Sequence, residues 1–158
     1  MAKTVFSYVI RILVMLATLI AAIVMGTSHK SVDMITFTFE AKISNWPVLK
    51  YFVIVNYIAA GYNLLVLFLP SGSNQWRLIV VLDMIMVLVI ASGCFLAGED
   101  LYIMKKGNAH VGWTAICGLV PAFCNRLTGA LAVGSLGAIV QILLTLYTYH
   151  VIINPLLM

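Results

Sequence analysis

From Arg77 to Ala97 the chain reads RLIVVLDMIMVLVIASGCFLA: about twenty mostly apolar residues, with one carboxylate, Asp83, six positions past Arg77. A helix of that length crosses the hydrocarbon core of a bilayer, about 30 Å at 1.5 Å per residue. A lone charge at such depth costs roughly 3 kcal/mol or more and calls for a partner. Two constraints follow. The chain has to span a membrane, and another segment has to deliver a cation to the depth of Asp83.

The rest of the chain meets the first constraint. Of its 158 residues, 63% are hydrophobic and 9% charged, where a soluble domain carries about 25% charged residues. Apolar runs place spans at about 5–26, 51–69, 77–97 and 127–153, with long loops at 27–50 and 98–126. All four prolines fall outside these spans, as helix interiors require. The short polar turn from Pro70 to Trp76 makes the second and third spans antiparallel neighbours. A cleaved signal peptide, with Lys3 and Arg11 as its basic region and Ile12–Gly26 as its apolar core, is the competing reading of the first run. Three further spans and the length of that run favour a spanning helix. The expected fold is therefore all-α: a single domain over residues 1–158, built as a four-helix transmembrane bundle. In the first loop, Thr36–Ile43 alternates polar and apolar residues, the period-two pattern of a half-buried strand. A short extramembrane strand or hairpin is expected there, followed by Trp46 as an interface anchor.

Composition also excludes function classes. Three cysteines without a CxxC pair argue against a zinc or thioredoxin-type site. The net charge of +4 contains no Lys/Arg run, so nucleic acid is a poor candidate partner and the lipid bilayer is the expected one. No nucleophile–base pair, metal cluster or phosphate loop stands out, so no enzyme and no cofactor is expected. His29 and His110 read as interfacial polar residues.

The second constraint selects Arg11. In a four-span chain the first and third helices run in the same direction. Arg11 and Asp83 both lie about six residues, or roughly 9 Å, inside the same membrane face. An Arg–carboxylate pair can be bidentate, which suits a buried site. Two alternatives stand beside this clamp: Arg11 snorkelling to the headgroups, and Asp83 serving a proton or ion relay. Asn56 and Asn63 lie seven apart on one face of the second span. Together with Gln141 they read as interhelical hydrogen-bonding groups, or as the polar path of a small channel or transporter around Asp83. Ala130, Gly134 and Ala138 recur every four residues, as do Thr18, Ala22 and Gly26. Such small faces let helices approach closely, either within one bundle or between protomers.

The stretch from His110 to Arg126 is the most specific text in the chain. Trp113 precedes Cys117 and Cys124, with Gly118 and Pro121 between the cysteines. A disulfide there would close a small loop and would require a non-cytosolic side. Two reduced cysteines in a cytosolic loop are the alternative. Cys94, inside the third span, reads as a packing residue.

Arg11, Asp83, the Trp113/Cys117/Cys124 loop and the tail Tyr149–Leu156 together resemble the plant Casparian strip membrane domain protein-like family, within the wider four-span MARVEL-type group. The first loop lacks the acidic, Pro-Phe-containing signature of the founding members, which points to the broader CASP-like branch. A claudin-like reading fits less well, because the cysteine pair is in the second loop. The resemblance implies cytoplasmic termini, extracellular loops and plasma-membrane residence. It also implies homo-oligomers and hetero-oligomers with related family members. Founding members assemble a scaffold that bars lateral diffusion and directs local wall modification, so wall-modifying partner proteins are implied as well. One physical rule points the other way. The two long loops hold six Lys and Arg residues and the opposite face three, which by the positive-inside rule would put the loops in the cytosol. The cysteine pair and the resemblance place them outside.

Overall fold

The computed structural model of the chain describes residues 2–33, 38–42, 46–69, 76–107, 112 and 115–153. Four helices dominate: α1 (Ala2–Gly26), α2 (Pro47–Leu67), α3 (Trp76–Lys106) and α4 (Pro121–Ile153). Each contains a stretch long and apolar enough to cross a membrane. Between α1 and α2 the strands β1 (His29–Asp33) and β2 (Thr38–Lys42) pair antiparallel, from His29 opposite Lys42 to Asp33 opposite Thr38. The alternating segment Thr36–Ile43 thus contains β2; Thr36, Phe37 and Ile43 lie outside the described residues.

Local chemistry sets the helix ends. Pro47 occupies the first turn of α2, where its missing N–H costs nothing. Trp46 before it is extended, at φ −120° and ψ 97°, as a residue preceding proline must be. Pro121 opens α4 in the same way. The expected third span ended at Ala97, but α3 continues to Lys106. Gly98-Glu99-Asp100 reads as a stop, yet Leu101 and Met104 keep the three- and four-residue spacing of the buried face, and both are buried. Packing carries the helix through the polar triplet. The actual stop is Gly107, at φ 71°, a left-handed position suited to glycine just beyond a helix. Its N–H donates to the Ile103 carbonyl at 2.8 Å. The second loop is correspondingly shorter than the expected 98–126, because α4 also begins at Pro121 rather than Leu127.

The helices form a ring. α1 packs on α2 and α4, and α3 packs on the same two helices, so α1 and α3 face each other across a diagonal. Their buried positions advance by threes and fours, which alternate through α1 and through α3 as far as Ala97: Arg11, Val14, Thr18, Ala21 and Met25 in α1, and Asp83, Met86, Ile90, Ala97, Leu101 and Met104 in α3 with Gly93 between. That spacing belongs to helices packed at the shallow left-handed angle of four-helix bundles. The outward faces carry Leu88, Phe95, Leu136 and Leu146, all strongly exposed, where lipid tails are the natural solvent. The loop-side end is closed by an apolar cluster in which Met25, Leu49, Met104, Phe123 and Leu127 meet.

Candidate functional site

Six residues inside Val5, the first helix aims Arg11 into the bundle, where 1% of its surface remains exposed. Its guanidinium reaches across the diagonal to Asp83 of α3. Nη2 donates to Oδ2 at 2.6 Å and Nη1 to Oδ1 at 3.1 Å, a bidentate ion pair. The other two helices complete the layer. Tyr62 of α2 places its hydroxyl 2.8 Å from Asp83 Oδ1 and 3.2 Å from the Ile79 carbonyl oxygen. It has one proton to give, and the nearer, charged carboxylate is the better acceptor. Gln141 Nε2 of α4 donates to the same Oδ1 at 3.3 Å. Arg11 Nη1 also donates to Asn63 Oδ1 at 3.4 Å. Asn63 Nδ2 in turn donates to Gln141 Oε1 at 3.2 Å and to the Ala59 carbonyl at 3.0 Å.

Asp83 therefore accepts four hydrogen bonds, close to the capacity of a carboxylate. Asn63 and Gln141 use both ends of their amides. One layer joins all four helices. A polar layer this complete is favourable in a low-dielectric core, because the alternative for each member is an unpaired buried group. Two buried side-chain atoms have no partner among the described residues: Arg11 Nε and Asn56 Oδ1. Asn56 shares a helix face with Asn63 but not its network. It is fully buried and donates to the Phe52 carbonyl at 2.8 Å, one turn back on its own helix. Of the residues read as a polar path, Asp83, Asn63 and Gln141 converge, and Asn56 stands apart.

Below this layer the small residues act within the bundle. A Cβ built on Gly134 would lie 2.7 Å from Phe52 Cζ and 3.5 Å from Ala21 Cβ. The Phe52 ring thus fills the space that glycine leaves at the centre. Gly137 does the same for α1, with Thr18 Cγ2 3.4 Å from a would-be Cβ. Ala130 and Ala22 are buried, and Ala138 packs with Val55, Ala59, Met86 and Ile90. Gly26 closes on Val53, whose Cγ1 is 3.5 Å from its would-be Cβ. Gly129, by contrast, has open space around its would-be Cβ.

At the loop-side end, Cys117 and Cys124 form a disulfide, with Cα atoms 5.7 Å apart. It ties the short 3-10 helix Ile116–Gly118 to the first turn of α4. Cys124 is itself buried in the apolar cluster, so the second loop is stitched onto the bundle. Trp113, the third residue singled out in this loop, lies outside the described residues, as does the tail from Asn154 onward. Tyr62 and Phe52 are the residues whose roles the sequence did not assign. Tyr62 had a signal: a hydroxyl inside a span, next to Asn63, needs a partner. Phe52 had none, since its importance lies in the glycine opposite.

Comparison with known proteins adds the following. The family model of the Casparian strip membrane protein domain matches residues 1–140. CASP-like protein 1C1 of Vitis vinifera is 40% identical over 153 residues, 97% of this chain and 96% of that protein. CASP-like protein 1C2 of Vitis vinifera is 43% identical over 142 residues, covering 90% and 88%. CASP-like protein 1C1 of Arabidopsis thaliana is 39% identical over 158 residues, covering 100% and 96%. No solved structure matches the chain.

Proposed function

The chain belongs to the Casparian strip membrane protein domain family, and from that premise we propose that it is a non-enzymatic scaffold of the plasma membrane. It associates laterally with further copies and with related family members. Its two loops face the outside, where they recruit proteins that modify the cell wall locally, and its termini are cytoplasmic. The disulfide on the loop side supports that orientation, because such bonds persist on oxidising faces.

The observation that carries the reading is the closed polar layer. Asp83, Asn63 and Gln141 direct their hydrogen-bonding groups at one another and at Arg11 and Tyr62. Polar groups paired off in this way hold helices together and present nothing to a passing solute. The outward faces are apolar and suit lateral contact in lipid. A second reading, a small channel or transporter around Asp83, draws on the two unpartnered buried atoms, Arg11 Nε and Asn56 Oδ1.

Fluorescence recovery after photobleaching of a tagged copy in its native membrane tests the scaffold. Slow or absent recovery within stable patches is the expected result. Rapid, uniform recovery would refute a fixed scaffold and shift the weight to transport, which a liposome flux assay then measures.

A further inference from the structure

In the two-stranded sheet each strand has a single hydrogen-bonded neighbour. Among the described residues, β1 and β2 therefore each leave an outer edge of backbone N–H and C=O groups with no strand beside it. Two strands alone make a marginal sheet, and an open edge is a template for a further strand. The hairpin is also tethered closely. β1 begins three residues after α1 ends, and β2 ends five residues before α2 starts. Copies embedded in one bilayer with the same side up thus hold their hairpins at the same height. A twofold axis along the membrane normal brings like edge to like edge, and makes the facing strands antiparallel where the hairpin lies flat along the membrane plane.

We propose that the hairpin lies flat along the membrane and that the outer edge of β2 pairs with the β2 edge of a second copy, forming a four-stranded antiparallel sheet across the contact between protomers. This rests on the self-association put forward above and supplies its contact. Twofold pairing requires one residue to face its own counterpart, which restricts the registers. In β2, a centre at Glu40 sets two like charges opposite each other, which is unfavourable. A centre at Ala41 sets Glu40 opposite Lys42 twice, which is favourable. In β1, Lys30 and Asp33 are three apart; an odd spacing never places them opposite each other about a twofold, and the register centred on Ser31 sets Asp33 opposite His29, which is neutral at pH 7. The charge pattern thus selects the β2 edge and the register centred on Ala41.

A single-cysteine scan tests this in proteoliposomes. Residues Thr38 to Lys42 are replaced one at a time by cysteine in a Cys94→Ala chain that keeps the Cys117–Cys124 disulfide. A short bifunctional maleimide is then added. With a rise of about 3.4 Å per residue, equivalent positions on two antiparallel copies separate by about 7 Å for each step from the centre. The dimer yield is expected to peak at Ala41→Cys and to fall several-fold by Phe39→Cys. Adding Glu40→Lys to Ala41→Cys should lower the yield, and adding Lys42→Glu to that variant should restore it. Co-purification of two differently tagged copies, run in parallel, reports self-association alone. Copies that co-purify without a peak at Ala41 overturn the edge contact and leave self-association standing. Copies that do not co-purify overturn both.

Discussion

Consider Asp83→Leu, Arg11→Met and the double variant. Replacing Asp83 leaves the Arg11 guanidinium buried with only Asn63 as its hydrogen-bond partner, removes the acceptor of Gln141, and leaves Tyr62 the more distant Ile79 carbonyl. Breaking one side of a buried ion pair costs about 3–5 kcal/mol. In a bilayer the unfolded helices find other partners, and measured interhelical hydrogen bonds average only about 0.6 kcal/mol. The lower end, about 3 kcal/mol, is therefore the expected cost of either single change. That is roughly a hundredfold shift in the ratio of folded to unfolded chain. The double variant removes both charges and fills the layer with apolar volume. It should cost no more than one single variant, a coupling of about 3 kcal/mol, at the upper end for contacting residues. Unfolding in bicelles by titration with sodium dodecyl sulfate, followed by circular dichroism, measures all three against the parent. Exchanging the charges, Arg11→Asp with Asp83→Arg, should recover part of the loss. Single variants within about 0.5 kcal/mol of the parent, or a double variant that is simply additive, would refute the clamp.

The same assay reads four further outcomes. Gly134→Ala should destabilise by about 1–3 kcal/mol through overpacking against Phe52, and Phe52→Leu should relieve it. Gly129→Ala, with open space at its Cβ, should be neutral or stabilising by up to about 1 kcal/mol. Asn56→Leu removes an unpartnered buried acceptor and should not destabilise, whereas Asn63→Leu opens the polar layer and should cost about 1–3 kcal/mol. Cys117→Ser with Cys124→Ser should lose about 2–3 kcal/mol, the loop-closure value for so short a ring. Non-reducing peptide mapping of the parent should recover the linked pair.

The membrane spans and the charge pair were legible because lipid penalises exceptions. A carboxylate in an apolar run stands out, and so does the one arginine at its depth. The reach of α3 past Ala97 was not legible, since Gly98-Glu99-Asp100 has the composition of a helix end. Only the burial of Leu101 and Met104 on neighbouring helices overrides it. The orientation of each helix was equally obscure. In water a buried face announces itself as an apolar stripe. Here Leu88, Phe95 and Leu136 face outward and are as apolar as the core, so the periodicity of α3 and α4 is nearly flat. The small residues were the usable signal for the faces of α1 and α4, and seven-residue spacing for Asn56 and Asn63. Neither could say that Asn63 joins the layer while Asn56 turns back to its own helix, because that depends on which partner arrives opposite each.

The diagonal pair also sets a schedule for synthesis. Arg11 precedes Asp83 by 72 residues. At about 5–20 residues per second, the arginine waits roughly 4–14 s before its carboxylate has been made. Asn63 arrives sooner, 52 residues after Arg11. Gln141 comes 58 residues after Asp83 and is the last member to join the layer. Through that interval α1 carries an unneutralised cation near one membrane face, within reach of the headgroups through its long side chain. The bundle consequently cannot lock in the order in which its helices emerge. Commitment comes only when the third helix is delivered, and a chain that ends before Asp83 keeps Arg11 without its carboxylate.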